Sequence, residues 1–298
     1  MQVLITGASG LIGRHTVALL HQRGDYVRTF QRGPLADPGV EHIQGDVRTD
    51  LESLCAAASG CRAVVHLAGR GDVGQSRRDP LAYAELNATG ALHALEAARA
   101  AGAIFILASS QRVYPLQPTP CREDAPLAPD SPYGYAKWVA ELWCRMASEQ
   151  WRVSTRCLRF FSVYGPGQQA NGGSGVVAIF ARAALAGEPL VVQSAGRRDF
   201  SNAQDVARGI GLALALPDDG GHRVYNVATG LGTTFGELAH LVVEVAGSGS
   251  PIQERIAEPS GSDLVADVSR AVADLGYQPC TGLRAGLEEY VQWLRSSV

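Results

Sequence analysis

Through the first half of the chain, short apolar runs alternate with longer segments whose apolar residues recur every three or four positions. The runs at 3–6, 26–30, 40–44, 63–67, 103–108 and 155–160 predict strands. The run at 103–108 is almost wholly apolar, and continuous apolar strands between amphipathic helices predict a parallel sheet buried on both faces. Periodic segments at 11–23, 51–59, 79–101 and 132–150 predict the helices. Gly24 stops the first, while Asp79-Pro80 and Ser131-Pro132 supply a cap and first turn for the last two. Residues 113–131 hold five prolines and no clear period, which predicts a loop. Beyond Gly165-Pro166-Gly167, short elements are separated by Gly172-Gly173, Gly175, Gly187 and Gly196. Thr234-Phe235-Gly236-Glu237 has the form of a capping box opening a helix to about residue 246. Further helices are expected at 269–275, ended by Gly276, and at 282–297. The pattern is that of an α/β protein with a Rossmann-type doubly wound parallel sheet. Residues 1–164, with about 201–227, are expected to form it, and about 165–200 and 228–298 a smaller C-terminal lobe that binds substrate.

Composition narrows the partners. Of 298 residues, 46% are hydrophobic and 18% charged, with a formal net charge of −3, so nothing predicts a nucleic-acid surface. No apolar run reaches membrane-spanning length. Six cysteines lie scattered without a C-x-x-C pair, which predicts a reducing compartment and no metal site. The first residues enter a strand with no basic segment ahead of a long apolar one, so a soluble cytoplasmic protein is expected.

Candidate chemistry sits at two places. Gly7, Gly10 and Gly13 fall between a predicted strand and helix. There they allow a tight turn, close approach of a pyrophosphate and close helix–strand packing, with the helix N-terminus facing the phosphates. The second strand ends Arg28-Thr29-Phe30-Gln31-Arg32, with no carboxylate for an adenine-ribose diol. Arg32, with Arg28 as the lesser candidate, could meet a 2′-phosphate, which points to NADP(H) over NAD(H). Asp46 and Val47, after the third strand, are candidates for the adenine edge, though Asp46 could equally cap a turn. Tyr133 and Lys137 share a helix face four residues apart, and an ammonium beside a phenol lowers its pKa. Ser110 ends the fifth strand, at the sheet edge where such folds bind ligands, and its hydroxyl can orient a substrate oxygen.

With these residues the chain resembles the extended short-chain dehydrogenase/reductase family along essentially its whole length. The marks are GASGLIG at 7–13, His66-Leu67-Ala68-Gly69, Asn87 in Leu86-Asn87-Ala88-Thr89-Gly90, and Ser109-Ser110-Gln111-Arg112-Val113-Tyr114. Further marks are Ser131-Pro132-Tyr133-Gly134-Tyr135-Ala136-Lys137, Arg159-Phe160-Phe161-Ser162-Val163-Tyr164-Gly165-Pro166-Gly167-Gln168 and Arg197-Arg198-Asp199-Phe200. The resemblance implies a catalytic trio of Ser110, Tyr133 and Lys137. It assigns the glycine turn with Leu11 and Ile12, then Leu67, Ala68, Gly69, Asn87, Lys137, Phe160, Ser162 and Val163, to the cofactor. The last two segments look like those of nucleotide-sugar epimerases, dehydratases and reductases, which places Ser110, Gln111, Tyr133, Ser162, Val176 and Arg198 at the substrate, Arg198 on a diphosphate.

Departures from that pattern carry information. Dehydratases of this kind carry an acidic pair where Gln111 and Arg112 stand here, so dehydration is not expected. Ser162 stands where asparagine is common, and Glu258-Pro259-Ser260-Gly261-Ser262-Asp263 replaces a segment with a second diphosphate arginine. His66 reads as a buried turn residue rather than a base. The first expectation is an NADPH-linked 4-ketoreductase of a nucleotide sugar, and the close alternative a 4-epimerase with retained NAD. A hydroxysteroid-like or natural-product dehydrogenase and a non-catalytic nucleotide sensor complete the alternatives. The partners expected are a small molecule and, for assembly, a second copy of the chain in a homodimer.

Overall fold

The computed structural model describes residues 1–34, 39–169 and 175–297. Gly172 and Gly173, read above as a break between elements, lie outside the described residues. The first half runs β1 (Gln2–Thr6), α1 (Leu11–Gln22), β2 (Tyr26–Gln31), β3 (Glu41–Gln44), α2 (Leu51–Ala58) and β4 (Ala63–His66). It continues with α3 (Val73–Arg78), α4 (Pro80–Ala84), α5 (Gly90–Ala101), β5 (Ile104–Ser110), α6 (Pro132–Trp151) and β6 (Thr155–Phe160). Then come β7 (Val163–Tyr164), α7 (Val176–Ala186), β8 (Leu190–Ser194), β9 (Arg197–Asp199), β10 (Ser201–Asn202) and α8 (Ala203–Leu214). The chain closes with β11 (His222–Val227), β12 (Gly232–Thr234), α9 (Phe235–Val245), β13 (Ile252–Glu258), α10 (Ser269–Leu275) and α11 (Leu283–Ser296).

Seven parallel strands in the order β11-β6-β5-β4-β1-β2-β3 make the central sheet; six of them are the predicted apolar runs, and the seventh, β11, is not among the strands expected from the sequence. Alternate residues of each strand feed opposite faces. Val3 and Ile5 join Val17 and Leu20 of α1 and Val206 and Ile210 of α8, while Leu4 joins Leu54 of α2, Leu95 of α5 and Ala140 of α6. Strand order reverses between β1 and β4, so a crevice opens at the carboxyl ends of these two strands. A separate core, which includes no residue of the central sheet, packs α7, α9 and α11 with β8. Helix α10 packs instead on the main sheet's core through Ala271 and Leu275.

The expected helix over 79–101 is interrupted. A π-helical turn at Glu85–Thr89 separates α4 from α5, and Asp72 caps the unforeseen α3 through the backbone N–H of Gln75. The π turn carries the buried Asn87 toward the sheet edge, a placement common at functional sites. Among the described residues, no helix is long and apolar enough to cross a membrane.

One polar network crosses the interior beneath the sheet edge. Arg159 on β6 donates through Nε and Nη2 to the two carboxylate oxygens of Glu141 on α6, at 2.9 and 2.7 Å. Ser109, directly opposite Arg159 in the β5–β6 register, donates to Glu141 at 2.5 Å. Arg159 Nη1 donates to the Tyr114 hydroxyl at 2.7 Å and to the Glu123 carbonyl at 3.1 Å, and Tyr114 donates to Asn226 on β11 at 2.8 Å. Removing one partner of so buried a pair strands the other charge, at a cost of about 3–5 kcal/mol. Glu141→Gln is therefore expected to lower the denaturant midpoint severely, and Glu141→Leu combined with Arg159→Met to recover much of that loss. Equal midpoints for wild type and Glu141→Gln would refute this role.

Candidate active site

The β1–α1 turn is shaped by what its glycines lack. Gly7 has φ of +74°, and a Cβ there would lie 2.6 Å from the Ala68 nitrogen. A Cβ on Gly13 would lie 2.3 Å from the Gly7 carbonyl oxygen. Gly10 is the N-cap of α1 and offers no side-chain cap, so the first N–H groups of the helix are left for another acceptor. A cradle that side chains would fill, ending in an uncapped helix N-terminus, suits a dinucleotide pyrophosphate. Leu11 and Ile12 begin that helix, and Leu67 and Ala68 close the turn from β4.

The adenosine side differs from expectation. Gln31, not Arg32, braces the glycine turn: its Oε1 accepts from Ser9 N at 2.9 Å and its Nε2 donates to the Gly33 carbonyl at 3.1 Å. Arg28 points elsewhere, donating to Glu41 at 2.8 Å and to the carbonyls of Ala57 and Ser59. Its Nε and Nη1 are thereby committed toward β3 and the end of α2, which weighs against it as a phosphate ligand. Arg32 is exposed. Asp46 accepts from the backbone and the guanidinium of Arg48, which holds its carboxyl below the usual range, so it caps the turn after β3. Val47 is buried against the position where Gly90 lacks a Cβ. Asn87 spends both ends of its amide on the backbone of Arg70, at 3.0 Å each, and so fixes the loop beside Gly69.

At the carboxyl edge of the sheet a cavity of about 520 Å³ gathers most of the remaining predicted residues. Ile12, Leu67, Gly69, Phe160 and Val163 line it from the sheet side. Ser110, Gln111, Tyr133, Lys137 and Ser162 line its reacting end, and Val176 and Arg198 come from the smaller core's side. Ser110 reaches this edge because β5 extends two residues further than its apolar run suggests. Tyr133 and Lys137 reach it because Ser131 caps α6 on Gly134 N at 3.3 Å. A Cβ on Gly134 would strike the Arg112 carbonyl oxygen, so α6 begins hard against the turn that follows Ser110.

The electrostatics correct one expectation. Burial pushes the Tyr133 phenol up, opposed by its hydrogen bond with Ser110 and by the positive charge of Arg112. Lys137, expected to tune Tyr133, instead donates to the Ala108 carbonyl at 2.8 Å. Burial brings the Lys137 ammonium down to about 8, with Glu141 opposing. His66 is fully buried, touches Thr6 Oγ1 at 2.8 Å and is held neutral by burial, its pKa falling to about 3. It is no general base.

Two features escaped the sequence reading. Gln111 donates to Ser162 Oγ at 3.1 Å, yet its buried carbonyl oxygen has no partner among the described residues. Arg198 is 3% exposed, donates to the carbonyls of Arg197 and Ser262 at 2.9 and 2.6 Å, and lies 5.2 Å from the centre of the Phe235 ring. The departing segment 258–263 thus has a task of its own, since Ser262 buttresses Arg198 and Asp263 accepts from Arg197 N at 2.6 Å. Asp199 is held by Thr229 and by the backbone N–H of Gly230.

Comparison with known proteins agrees with this geometry. A UDP-glucose 4-epimerase of Mycolicibacterium smegmatis is 32% identical over 99% of this chain and 99% of its own. The structure of MoeE5 in complex with UDP-glucose and NAD superposes with a TM-score of 0.91, at 32% identity, covering 100% of this chain and 99% of that one. The UDP-glucose 4-epimerase of Thermus thermophilus, in complex with NAD, gives 0.90 at 31% identity, with 100% of each chain covered. The sequence profile of the NAD dependent epimerase/dehydratase family matches residues 3–228. The chain therefore belongs to that family, within the extended short-chain dehydrogenases/reductases.

Proposed function

We propose that the protein is a nucleotide-sugar 4-epimerase that keeps its NAD bound. The observation that carries this reading is the meeting of Ser110, Tyr133 and Lys137 in one cavity with Arg198 and the uncapped N-terminus of α7. Two positive features suit a diphosphate, and the trio suits a carbinol. The relatives favour the epimerase over the ketoreductase expected first. They also favour NAD over NADP(H), and with Arg28 committed to Glu41 the case for a 2′-phosphate rests on exposed Arg32 alone.

A bound nicotinamide supplies the acceptor of hydride from the sugar C4 and its later donor. The protein does the rest. Tyr133 takes the C4 hydroxyl proton as phenolate and returns it as phenol once the 4-keto sugar has turned its other face. Ser110 holds that oxygen in line with Tyr133. Lys137 holds positive charge beneath, near enough to Gly69 that a Cβ there would lie 3.3 Å from its Nζ. Elimination of water is not supported, because neither Gln111 nor Arg112 can act as the base such a step needs.

Incubation with UDP-glucose and no added cofactor is expected to yield UDP-galactose. In Tyr133→Phe the rate should fall about 100- to 10,000-fold, the scale of a lost proton donor. Turnover only with a 4-keto sugar and added NADPH would replace this reading with the ketoreductase.

Arg198→Ala is expected to raise KM for UDP-glucose, and the inhibition constant of UDP, about 10- to 100-fold, the worth of charge-assisted contacts. A change in thermal stability with no change in UDP affinity would assign Arg198 to the lobe's architecture alone.

The Lys137 ammonium is intact below pH 8 and lost above it, given a pKa of about 8. kcat/KM should therefore decline above that pH. A decline beginning only near the free-lysine value of about 10.4 would remove this charge from the rate.

A further inference from the structure

The described lining of the cavity carries charge of one sign only. Four lining residues carry positive charge, Arg70, Arg112, Lys137 and Arg198, and no aspartate or glutamate appears among the described lining residues. Lys137 belongs to the trio, and Arg198 to the diphosphate in the reading above. Arg70 and Arg112 remain, and both arise at the reacting end. Arg112 stands two residues beyond Ser110 in a tight turn, its backbone N–H bonded to Ser110 Oγ at 3.2 Å. Arg70 follows Gly69 on the loop that Asn87 pins.

Arg112 is only loosely satisfied. Its Nη1 lies 3.6 Å from Asp130 Oδ2, and Arg77 claims the same oxygen at 3.5 Å, so two guanidiniums divide one exposed carboxylate. Ring hydroxyls of a neutral hexose do not need a permanent cation beside the carbon being epimerised. A carboxylate does, and a planar guanidinium matches it with two parallel bonds. On a hexose, the exocyclic C6 is attached to C5, the neighbour of the reacting C4. The unpartnered oxygen of Gln111, one residue away, can accept from a ring hydroxyl.

We propose that the sugar is acidic: a nucleoside-diphosphate hexuronate whose C6 carboxylate is bound by Arg112, with Arg70 at its side. This rests on the nucleotide-sugar reading and adds the charge of the sugar to it.

The test compares UDP-glucuronate with UDP-glucose on wild type, Arg112→Gln and Arg112→Lys, each carrying its own bound cofactor. Wild type should favour the acid by roughly 10- to 100-fold in kcat/KM, as for a charge-assisted pair. Arg112→Gln should erase most of that preference, and Arg112→Lys keep part of it as a point charge. The ratio is the readout, because losing Arg112 also removes a charge acting on Tyr133 and slows both substrates. Calorimetric titration of the two sugars into Tyr133→Phe should give the same ordering without turnover. Wild type preferring UDP-glucose, or a preference that survives Arg112→Gln, overturns the acidic sugar and leaves the epimerase standing. Binding of neither sugar nor UDP would defeat both.

Discussion

The bidentate pair between Arg159 and Glu141 fastens α6 across β5 and β6 just below the cavity. The placement of Ser110, Tyr133 and Lys137 depends on it. Glu141 lies one turn beyond Lys137 on α6, Arg159 immediately precedes the cavity-lining Phe160, and Ser109 immediately precedes Ser110. One ion pair therefore sets the relative positions of a hydroxyl on a strand end, a phenol and an amine on a helix, and an aromatic wall. Such a pair does not stabilise a fold cheaply, since desolvation offsets much of its attraction. Its value lies in geometry. With Ser109, Tyr114 and the Glu123 carbonyl occupying the remaining hydrogen-bonding positions, the pair has one satisfied arrangement, and α6 cannot slide along the sheet without breaking it.

The same dryness shapes the proton chemistry above. Burial makes ionisation harder for Tyr133 and charge retention harder for Lys137, so both groups are moved toward their neutral forms. Bringing Tyr133 to a working phenolate then needs positive charge from outside the pair. Arg112 is placed to give it, since its positive charge opposes the effect of burial on the Tyr133 phenol. A residue that looks in the sequence like a mere loss of a dehydratase's base thus has an electrostatic task. It pulls on the phenol while facing the space where a sugar would lie.

Six strands of the sheet and the gathering of Ser110, Tyr133 and Lys137 at its edge were legible because each depends on local pattern. Apolar runs of four to six residues fix the strands, and capping by Ser131 fixes the start of α6 and hence the faces of Tyr133 and Lys137. What stayed hidden depends on partners distant in sequence. Gly209 and Gly211 look like breakers, yet they lie inside α8, where a Cβ on the first would lie 2.6 Å from Val227 and on the second 3.0 Å from Leu19. The glycines let α8 pack closely on β11 and α1, and no local rule distinguishes that from a turn. Arg32 and, second to it, Arg28 are both open as phosphate ligands in the sequence, and only the register of β2 with β3 shows that Glu41 takes Arg28. The π turn that delivers Asn87 leaves no mark in periodicity, because one extra residue in a helix changes the spacing too little.

The chemistry open to this cavity follows from what its described lining can titrate. Arginines do not release protons near neutrality, and serine hydroxyls do not ionise there. In the proposed reading Tyr133 is the group that accepts and returns a proton at the substrate oxygen, with the buried Lys137 in the same cavity. A single proton-exchanging group permits a carbinol and a ketone to interconvert at one carbon. It does not permit water to be eliminated from the neighbouring carbons, which needs a second base and an acid at once. In the proposed reading, Gln111 and Arg112, standing where the resemblance places an acidic pair, leave elimination without its base while Ser110, Tyr133 and Lys137 remain.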